Sequence, residues 1–500
     1  MKKEYVLDAD GMKRADEGTI EVLGIGQDVL MERAALAVAA CVKKYQPVNV
    51  LCVCGNGNNG GDAVATARIL CMQGINVDVY MCGDSKKYKS SVVKQLDIFR
   101  KIGGRTVNDP LFSEYDIIVD GIFGIGMERR VEGDYAKVID VVNEAKAAGI
   151  KVLSIDIPSG IHTDTGAVLS SAVKADETVS FAYYKPGHLL YPGALYCGKV
   201  TVEEIGISHR YFYEEELNYF TVSPEEEIKL PERRRDGNKG TFGRVLVIAG
   251  NESMYGACYL SALAVLRMGA GLVDIYTNEI NRVTLQNMIP EAIVHTYTNE
   301  GINKEVLCKL IDSSTCVVIG PGISVDNNAM ELVSTVMEYC DKTIIADADA
   351  LNCIANQKDL LYNQKRFANR EMIITPHPGE FSRLTGQSVT GLKENYVKSV
   401  MDFAKEYDVI VVGKDAGTVV SDGKNVYFNQ TGNDGMATAG SGDVLSGIIG
   451  SLCAQGLNAY EAAWKGVFIH GKAGDTAIKD TNTRSLIARD IANTLTKVIN

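Results

Sequence analysis

Two stretches of the chain alternate strand-like runs with helical runs, and this alternation limits the possible folds more than any other feature. In the first stretch the apolar runs NVLCVCG, NVDVYMCG, DIIVDGIFG and KVLSIDIPSG are separated by helical segments such as DAVATARILCMQG. Strands that alternate with helices in this order are typical of a parallel sheet with helical crossover connections. The first stretch is therefore predicted to be an α/β domain.

The second stretch repeats the alternation with different sequences. It begins at GRVLVIAG, continues through CVVIGPG, TIIADADALN, EMIITPHPGE and DVIVVGK, and includes a hairpin pattern, VVSDGKNVYF, around Asp422. Three helical segments, at roughly 441–456, 459–478 and 485–498, end the chain. We expect a second α/β domain with some antiparallel pairing at one edge of its sheet.

Clusters of charge separate the two stretches. From about Tyr211 the pattern breaks into EEE at 214–216, EEE at 225–227 and RRR at 233–235, which we interpret as a solvated interdomain linker. A chain of 500 residues is also longer than one ordinary hydrophobic core supports. The predicted domains span residues 1–218 and 219–500.

The overall composition excludes several classes of protein. Hydrophobic residues make up 46% and charged residues 23% of the chain, as in soluble globular proteins. The net charge of −12 disfavours binding to nucleic acid through a basic face. Because no secretory signal opens the sequence and no apolar run is long enough to span a membrane, we expect a cytoplasmic protein without a membrane or nucleic-acid partner.

The twelve cysteines fit a reducing compartment, where they are expected to be free and mostly buried thiols. Cys52 and Cys54 lie two residues apart in an apolar run, so on a strand they face the same side. Two small core residues explain them better than a zinc site, because no CxxC pair and no nearby histidine accompany them.

The segment GNGNNGGD at residues 55–62 joins a predicted strand to a predicted helix. Ligands bind at such strand ends in open α/β sheets. Glycine lets backbone N–H groups approach an anion closely and the helix N-terminus adds partial positive charge, so phosphate is the expected ligand. The segment matches neither the Walker pattern nor GxGxxG, and a tight turn without a ligand is the alternative.

Two more loops follow strands of the same domain, DGIFGIGMERR at 120–130 and DIPSGIHTDTG at 156–166. They place the carboxylates of Asp120 and Asp156 beside glycines or a hydroxyl, an arrangement that could ligate a hard cation or transfer a proton. Arg129 and Arg130 could pair with a phosphate.

These three motifs, in this order, resemble the epimerase domain of the bifunctional NAD(P)H-hydrate repair enzymes over residues 1 to about 218. The resemblance implies a Rossmann-like α/β/α fold, a bound K⁺, and the hydrates of NADH and NADPH, called NADHX and NADPHX, as substrates. Asp156 would be the acid–base residue, and Asn59, Asp120 and Ser159 would hold K⁺. The substrate would bind Asp156 and two loops made of Asn58, Asn59, Gly60, Gly61 and Asp62, and of Gly124, Ile125, Gly126, Met127, Glu128, Arg129 and Arg130.

In the second domain, TAGSGDVLSGIIG at 438–450 carries the strongest chemical signal. Gly440, Ser441 and Gly442 can direct backbone N–H groups at one anion from a helix start, and Asp443 follows in the first turn. Phosphoryl transfer to an alcohol needs such stabilisation of phosphoryl charge beside a carboxylate that accepts the hydroxyl proton. By itself, GSGD could also be a helix cap.

Together with GPG at 320–322, DADALN at 347–352, TPHPGEF at 375–381 and VGKDAGTVV at 412–420, this motif resembles the ribokinase-like dehydratase domain of the same enzymes, from about residue 230 to the end. The resemblance implies that ADP, or ATP, with Mg²⁺ activates the hydroxyl of the S hydrate and that Asp443 is the base. The adenine nucleotide would bind Lys414, Asp415, Ala416, Gly417, Thr418 and Gly442, and the hydrate would bind Ala257, Gly322, His377 and Asp443.

Two positions depart from the family pattern. Ala63 stands where glycine is common, which we expect to be a minor change, and Asp415 stands in KDAGT where the family often has KGAGT. The charge of Asp415 either points to solvent or shifts the nucleotide preference. Asp347 and Asp349 could share a Mg²⁺ shell or cap a helix.

Two alternatives to the repair function remain. The chain could be a ribokinase-like kinase of a small vitamin-precursor alcohol with a regulatory first domain, because GSGD fits both activities. The first domain could instead be a non-catalytic binding or scaffold module, although the joint presence of Asn59, Asp120 and Asp156 with Ser159 argues for a working site. The resemblance also implies a homo-oligomer.

Overall fold

A computed structural model describes residues 2–208, 217–368 and 370–499. The chain separates into two compact units, the first from Glu4 to Tyr219 and the second from Phe220 onward. Lys2 and Lys3 group with the second unit, although the division predicted from the sequence assigned them to the first. The Lys3 ammonium lies 4.1 Å from the ring centroid of Phe220.

The first unit contains a sheet whose described strands are parallel, in the order β4-β3-β2-β5-β6-β7-β8. The strands of this unit are β1 (Glu4–Tyr5), β2 (Asn49–Cys54), β3 (Asn76–Met81), β4 (Arg105–Val107), β5 (Ile117–Gly121), β6 (Lys151–Ile155), β7 (Glu177–Phe181) and β8 (Lys199–Glu203). Its helices are α1 (Ala9–Glu21), α2 (Gln27–Lys43), α3 (Asn58–Met72), α4 (Ser90–Lys101), α5 (Asp134–Ala147), α6 (Pro186–Leu189) and α7 (Ala194–Cys197). The predicted parallel α/β fold is confirmed.

Strand β2 shows why the sheet is covered on both faces. Its side chains alternate between two hydrophobic clusters, with Val50, Cys52 and Cys54 in one and Leu51 and Val53 in the other. Successive side chains of a strand point to opposite faces, so a strand that is apolar from Val50 to Cys54 must be covered on both faces. Helices α2 to α4 contribute to the first cluster and α5 to the second. The two cysteines are core residues of the same face.

The second unit has the strand order β9-β18-β17-β16-β15-β14-β13-β10-β11-β12. Its strands are β9 (Tyr219–Thr221), β10 (Arg244–Ile248), β11 (Leu272–Asn278), β12 (Ile293–Tyr297), β13 (Cys316–Ile319), β14 (Thr343–Ala346), β15 (Met372–Ile374), β16 (Ile410–Gly413), β17 (Val419–Ser421) and β18 (Val426–Phe428). The pairs from β10 to β16 are parallel, whereas β16–β17 and β17–β18 are antiparallel. The expected hairpin at one side of the sheet is confirmed.

Helices surround this second sheet and fill the space between its loops. They are α8 (Tyr255–Arg267), α9 (Arg282–Met288), α10 (Lys304–Ser313), α11 (Asn327–Tyr339), α12 (Asp349–Asn356), α13 (Asp359–Tyr362), α14 (Pro378–Thr385), α15 (Val389–Glu394), α16 (Tyr396–Tyr407), α17 (Ser441–Ala454), α18 (Ala459–Ala477) and α19 (Ala488–Val498). The three predicted C-terminal helices correspond to α17, α18 and α19. None of the helices within the described ranges is long and apolar enough to cross a membrane.

The segment interpreted as a linker is only partly described. Residues 209–216, which include the first acidic cluster, lie outside the described residues. In the part that follows, β9 pairs next to β18 in the second unit, and residues 231–236 are exposed to solvent. The Arg233 guanidinium stacks 3.9 Å from the ring centroid of Phe242 and donates to the carbonyl of Gly269 (2.8 Å). Charge runs alone did not reveal this packing.

Candidate active sites

The GNGNNGGD segment forms the turn from β2 into α3 and the first turn of that helix, which begins at Asn58. A Cβ on Gly60 would lie 2.0 Å from the carbonyl oxygen of Gly55, so glycine is required for this close packing. The side-chain oxygens of Asn56 and Asn58 are buried and accept no hydrogen bond from the described residues. The loop thus presents unpaired acceptors beside a helix N-terminus.

Asp120 ends up at the centre of a buried cluster of polar groups at the carboxyl end of β5. Ser159 donates to it through Oγ (2.5 Å) and through its backbone N–H (2.9 Å), and Ser154 Oγ also donates to it (2.9 Å). Asn59 Nδ2 donates to the carbonyl of Phe123 (2.7 Å), which accepts a second bond from Ser159 (3.3 Å). The structure brings the three predicted K⁺ ligands, Asn59, Asp120 and Ser159, into one cluster.

Among the residues that the structure describes, Asp120 has no cationic side-chain partner. Burial raises the pKa of Asp120, while hydrogen bonds from Ser159 and Ser154 oppose the shift. The groups that contact this carboxylate are hydroxyls and backbone N–H groups. A buried charge of this kind is costly unless it is compensated, which is an arrangement suited to a bound cation.

Asp156 follows β6 directly and has a φ of +64°, a left-handed conformation that is uncommon outside glycine. Strained backbone of this kind concentrates at functional sites. The Lys185 ammonium, which is fully buried, contacts Asp156 Oδ1 and also donates to Ser180 Oγ (2.9 Å) and to the carbonyl of Phe181 (3.1 Å). The backbone N–H of Phe181 donates to the same Asp156 oxygen (3.2 Å).

His188 holds the backbone of Asp156. The backbone N–H of Lys185 donates to His188 Nδ1 (3.1 Å), so Nε2 carries the proton and donates to the carbonyl of Asp156 (2.8 Å). Burial, together with the charge of Lys185, lowers the pKa of His188 to about 3, which leaves the ring neutral. Burial also lowers the pKa of Lys185, although the charge of Asp156 opposes this.

Two further carboxylates act on this site. Burial raises the pKa of Asp62 well above its ordinary value, and the charges of Asp156 and Asp16 add to the shift. Asp16 lies on α1, and its pKa is raised by burial and then by the charges of Glu17 and Asp156. Sequence reasoning missed Asp16, Lys185 and His188, since α1 precedes the motifs and YYKPGH resembles an ordinary turn before a short helix.

The second predicted substrate loop, residues 124–130, is only partly connected to the other loops. Thr163 Oγ1 donates to the carbonyl of Ile125 (2.9 Å), which ties this loop to the one that contains Asp156. Arg129 and Arg130 are exposed to solvent. The structure brings the glycine end of the loop to the cluster and leaves the two arginines at the surface.

In the second unit, α17 begins at Ser441, and its N-cap residue Gly440 has a φ of +87°. Ser441 Oγ lies 3.3 Å from Nε2 of His470, a residue of α18 whose pKa is lowered by burial to about 4. The carbonyl of Asp443 accepts hydrogen bonds from Ser261 (2.8 Å) and Ser446 (3.0 Å). The predicted helix start with its adjacent carboxylate is therefore formed.

Lys414 lies at this helix start. Its ammonium donates to Asp347 Oδ1 (2.8 Å) and lies 3.2 Å from the place that a Cβ on Gly442 would occupy. Burial lowers the pKa of Lys414, but the charges of Asp347 and Glu380 outweigh burial, and the net shift is upward. Asp347 is 1% exposed. A buried ion pair thus adjoins the N–H groups of α17.

Asp443 has no cationic side chain bonded to its carboxylate within the described ranges, and its pKa differs accordingly. Burial raises the pKa of Asp443 to about 7, with the charge of Asp347 adding to the shift and that of Lys414 opposing it. Burial also raises the pKa of Glu380 to about 7. A carboxylate with a pKa near 7 is a suitable general base at neutral pH.

The residues predicted to bind nucleotide follow β16 as a turn into β17. Thr418 Oγ1 donates to the carbonyl of Asp415 (3.2 Å), and the Asp415 carboxylate forms an ion pair with Lys393 (2.9 Å). The backbone N–H of Lys414 donates to the carbonyl of Pro376 (2.9 Å), which joins this turn to the predicted hydrate loop. The extra charge of Asp415 is therefore paired with a neighbouring lysine rather than left alone.

The predicted hydrate residues gather around two other loops. A Cβ on Gly322, whose φ is +64°, would lie 3.1 Å from the Cβ of Ala257, so these two residues are in close contact. His377 is the N-cap of α14, where its Nδ1 accepts from the backbone N–H of Gly379 (3.0 Å). Burial and the charge of Lys414 lower the pKa of His377. His377 thus has a capping role within the site.

The spacing of Asp347 and Asp349 allowed either a shared Mg²⁺ shell or a helix cap. Asp347 is paired with Lys414, and Asp349 Oδ2 accepts from the backbone N–H of Ser324 (2.9 Å). The N-cap of α12 is Ala348, without a side-chain cap, so Asp349 lies in the first turn instead. The two carboxylates are held by different partners.

Comparison with known proteins identifies the family. The profile of the family described as YjeF-related protein N-terminus matches residues 27–187, and that of NAD(P)H-hydrate dehydratase matches residues 245–497. The chain is 35% identical over 508 residues to the bifunctional NAD(P)H-hydrate repair enzyme Nnr of Thermofilum pendens, with 98% of this chain and 95% of the relative covered. The chain belongs to the bifunctional NAD(P)H-hydrate repair enzymes.

A further relative agrees with this assignment. The repair enzyme Nnr of Coxiella burnetii is 35% identical over 487 residues, covering 95% of this chain and 96% of the relative. A solved structure of the ADP/ATP-dependent NAD(P)H-hydrate dehydratase from Bacillus subtilis is 29% identical and covers 54% of this chain and 93% of its own, with a TM-score of 0.46. The family predicted from the sequence is confirmed, and the kinase alternative is not favoured.

Proposed function

We propose that the first unit interconverts the R and S forms of NADHX and NADPHX and that the second dehydrates the S form with ADP or ATP. One observation carries the proposal: each unit has a buried or half-buried carboxylate and a lysine together in the loops that follow its parallel strands. These are Asp156 with Lys185 and Asp443 with Lys414. Ligands bind at these strand ends in open α/β sheets.

In the first unit, Asp156 is the acid–base residue at the hydroxyl-bearing carbon of the hydrate. Lys185 holds its carboxylate and His188 holds its backbone, so the proton-transferring oxygen stays in one orientation. The dinucleotide phosphates bind against residues 58–62 and 124–130, where the N-terminus of α3 supports the assignment. The strained backbone at Asp156 also supports a functional role.

A K⁺ ion fits the cluster around Asp120. The Asp120 carboxylate, the Ser159 hydroxyl, the Asn59 amide and the Phe123 carbonyl are oxygen-bearing groups of the kind that hard cations prefer. The buried Asp120 charge, contacted by hydroxyl and N–H groups, supports a cation there. When bound, K⁺ supplies positive charge that ties the first and third loops together beside the substrate.

In the second unit, Asp443 takes the proton of the hydrate hydroxyl as that oxygen attacks the terminal phosphorus of the nucleotide. The N–H groups at the start of α17 and the Lys414 ammonium stabilise the charge on the phosphoryl group. The phosphate ester then leaves as phosphate, which is a far better leaving group than hydroxide, and loss of a ring proton restores the dihydronicotinamide. A pKa near 7 for Asp443 supports its role as the base.

Mg²⁺ belongs in this proposal as a companion of the nucleotide. Within the described residues, no cluster of three or more His, Cys, Asp or Glu side chains suits a metal ion. Asp347 and Asp349 are engaged by Lys414 and by the Ser324 N–H. The oxygens available to Mg²⁺ are therefore chiefly those of the phosphates, where the ion supplies charge neutralisation.

We also propose a cytoplasmic location and a homo-oligomeric state. The twelve cysteines are all free thiols, which supports a reducing compartment. Self-association is carried over from the family resemblance, and light scattering on the purified chain tests it. A mass equal to that of a single chain, across micromolar concentrations, overturns it.

The proposed function is tested by adding purified protein to a mixture of R and S NADPHX with ADP and Mg²⁺, with and without K⁺. Recovery of the near-ultraviolet absorbance of the reduced nicotinamide is the readout. Both epimers should be consumed, Asp443→Ala should abolish recovery, and Asp156→Ala should leave the R form behind. Absence of recovery with both ADP and ATP overturns the repair function, and phosphorylation of a vitamin-like alcohol would then favour the kinase.

A further inference from the structure

Lys414 and Asp347 form an ion pair in the second unit, and the family resemblance assigns a role to only one of them. The resemblance gives Lys414 to the nucleotide and leaves Asp347 without a role. Asp347 is 1% exposed, and its Oδ1 binds the ammonium at 2.8 Å while its Oδ2 lies 3.7 Å from the place of a Cβ on Gly442. Asp347 therefore touches the helix start where phosphate would be transferred.

The cost of this arrangement argues for a purpose. A buried ion pair is weak evidence for stability, because desolvation of both charges offsets their attraction. The same pair also places a carboxylate next to a site that must receive an anionic phosphate, which is unfavourable unless the carboxylate positions a cation. Asp347 is anchored further by the backbone N–H of Ala348, which donates to its Oδ1 (2.9 Å). The lysine is thus held by a carboxylate that is itself fixed.

We propose that Asp347 is a positioning residue of the dehydratase, which holds the Lys414 ammonium at the N-terminus of α17 so that it meets the terminal phosphate of ADP. The inference rests on the proposed dehydratase function. Asp347 does not exchange protons with the hydrate. It acts on the phosphate through Lys414, and it acts on Asp443 through its charge.

The second action follows from the charges that face Asp443. Those within the described residues are Cys258 on α8, Asp347 and Asp349 between β14 and α12, and Lys414 at the end of β16. The neighbouring His377, Glu380 and His470 interact with Lys414. After burial, the charge of Asp347 is the largest contribution that raises the pKa of Asp443. Removing the charge of Asp347 lowers the pKa of Asp443. Lys414 lowers this pKa further once Asp347 no longer neutralises the lysine.

The first test is a binding comparison by titration calorimetry on the full chain, with ADP and AMP as probes. Asp347→Asn should weaken binding of ADP by at least about tenfold, because a charged hydrogen bond to the terminal phosphate is misplaced, and should change binding of AMP little. Equal changes for ADP and AMP, or none, overturn the proposal. This comparison stays decisive even if the chain does not dehydrate the S hydrate, so the two failures are distinguishable.

Asp274→Asn is the matched control. Asp274 is 2% exposed, lies near the amino end of β11, and is paired with Arg244 (Oδ1 to Nη2, 2.8 Å). Asp274→Asn therefore shows the effect of losing an ion pair that belongs to the same unit but lies away from α17. Asp274→Asn should destabilise the fold as Asp347→Asn does and leave the ratio of ADP to AMP affinity unchanged.

The second test follows the dehydration rate of the S hydrate against pH. Asp443 must be ionised to act as a base, so the acid limb of kcat/KM should move to lower pH in Asp347→Asn, whereas Asp274→Asn should keep the wild-type limb. Asp347→Asn combined with Lys414→Met should bind ADP no more weakly than Lys414→Met alone, because Asp347 acts on the phosphate through the lysine. If the acid limb of Asp347→Asn does not move, and if the effects of Asp347→Asn and Lys414→Met add in the double variant, Asp347 has only a structural role.

Discussion

The two proposed sites use the same pair of residue types in opposite ways. In the first unit the buried lysine, Lys185, contacts the proposed acid–base residue Asp156 directly. In the second unit the half-buried lysine, Lys414, contacts a different carboxylate, Asp347, and the proposed base Asp443 has no cationic contact of its own within the described residues. In the first unit the lysine therefore fixes the reacting carboxylate. In the second unit the lysine is itself fixed by a carboxylate and is proposed to meet the phosphate.

This difference matches the chemistry that each unit has to perform. Epimerisation uses no phosphoryl group, so a lysine there can serve only to orient and balance the carboxylate. Phosphoryl transfer needs positive charge at the phosphate and an unpaired base for the hydroxyl proton, which are two separate tasks. A second carboxylate in this unit, Asp347, holds the lysine apart from the base Asp443. The geometry of the two sites is consistent with this division of roles.

The strongest way to break the comparison is to neutralise each proposed catalytic carboxylate. Asp443→Asn should lower the dehydration rate by about 10²–10⁴-fold and leave epimerisation intact, because proton transfer to a positioned base contributes that much. Asp156→Asn should do the reverse. Chiral separation of the hydrates, together with nicotinamide absorbance, measures both rates. If one substitution affects both rates equally, the two activities do not belong to separate units.

Removing Lys185 should have the next largest effect, because Asp156 would then be a buried charge without its partner. Lys185→Met should lower the free energy of unfolding by about 3–5 kcal/mol, measured by urea denaturation, and should abolish epimerisation. Lys185→Met combined with Asp156→Asn should regain most of the stability but no activity. A Lys185→Met protein that is as stable and active as wild type would remove Lys185 from the site.

The pH dependence of the two rates should also differ. Because Asp443 has a pKa of about 7, the dehydration rate should rise as the pH increases through about 7. His188 has a pKa of about 3, so this residue should give epimerisation no limb near neutral pH. Glu380 titrates in the same range as Asp443, and Glu380→Gln should retain the dehydration limb if Asp443 is the base. Loss of the limb in that variant would assign it to Glu380.

The raised pKa of Asp443 also affects stability. As the pH increases, stability should fall, whereas the dehydration rate should rise. The pKa of Asp443 in the folded state is above its ordinary value of 3.8. At a pH between these two values, the unfolded chain therefore binds fewer protons than the folded chain. Its contribution therefore destabilises the second unit progressively as the pH rises from 3.8 to about 7. Asp443→Asn should remove this slope from urea midpoints measured across that range.

The smallest effect is expected at Asp415, the departure from the family pattern in the nucleotide turn. Its carboxylate is paired with Lys393, which is 52% exposed, and ion pairs at exposed positions contribute about 0–1 kcal/mol. Asp415→Gly should therefore change the affinities for ADP and ATP by less than about threefold, measured by calorimetry. A larger change, or a reversed preference between ADP and ATP, would show that Asp415 selects the nucleotide.

Several features of the fold could be predicted because they depend on local pattern. The buried runs of β2 and β13 and the hairpin of β17 and β18 were visible in the sequence, since each has a strong apolar period or a clear turn. Strand β12, Ile293–Tyr297, was not predicted, because it lies at the edge of the sheet and its positions are mostly half-buried or exposed. Strand β9 was hidden in a stretch that was dominated by charge.

Local sequence patterns were enough to predict the two α/β units, the family, and the loops that carry Asp120, Asp156 and Asp443, because glycine spacing and strand-to-helix order are local properties. The partners of those carboxylates depend on how the chain packs. Lys185 and Asp347 reach their sites from strand ends that lie far along the chain, and nothing in YYKPGH or DADALN indicates which charge each will meet. Burial turns such encounters into fixed ion pairs and shifted pKa values, and burial is a property of the packed molecule.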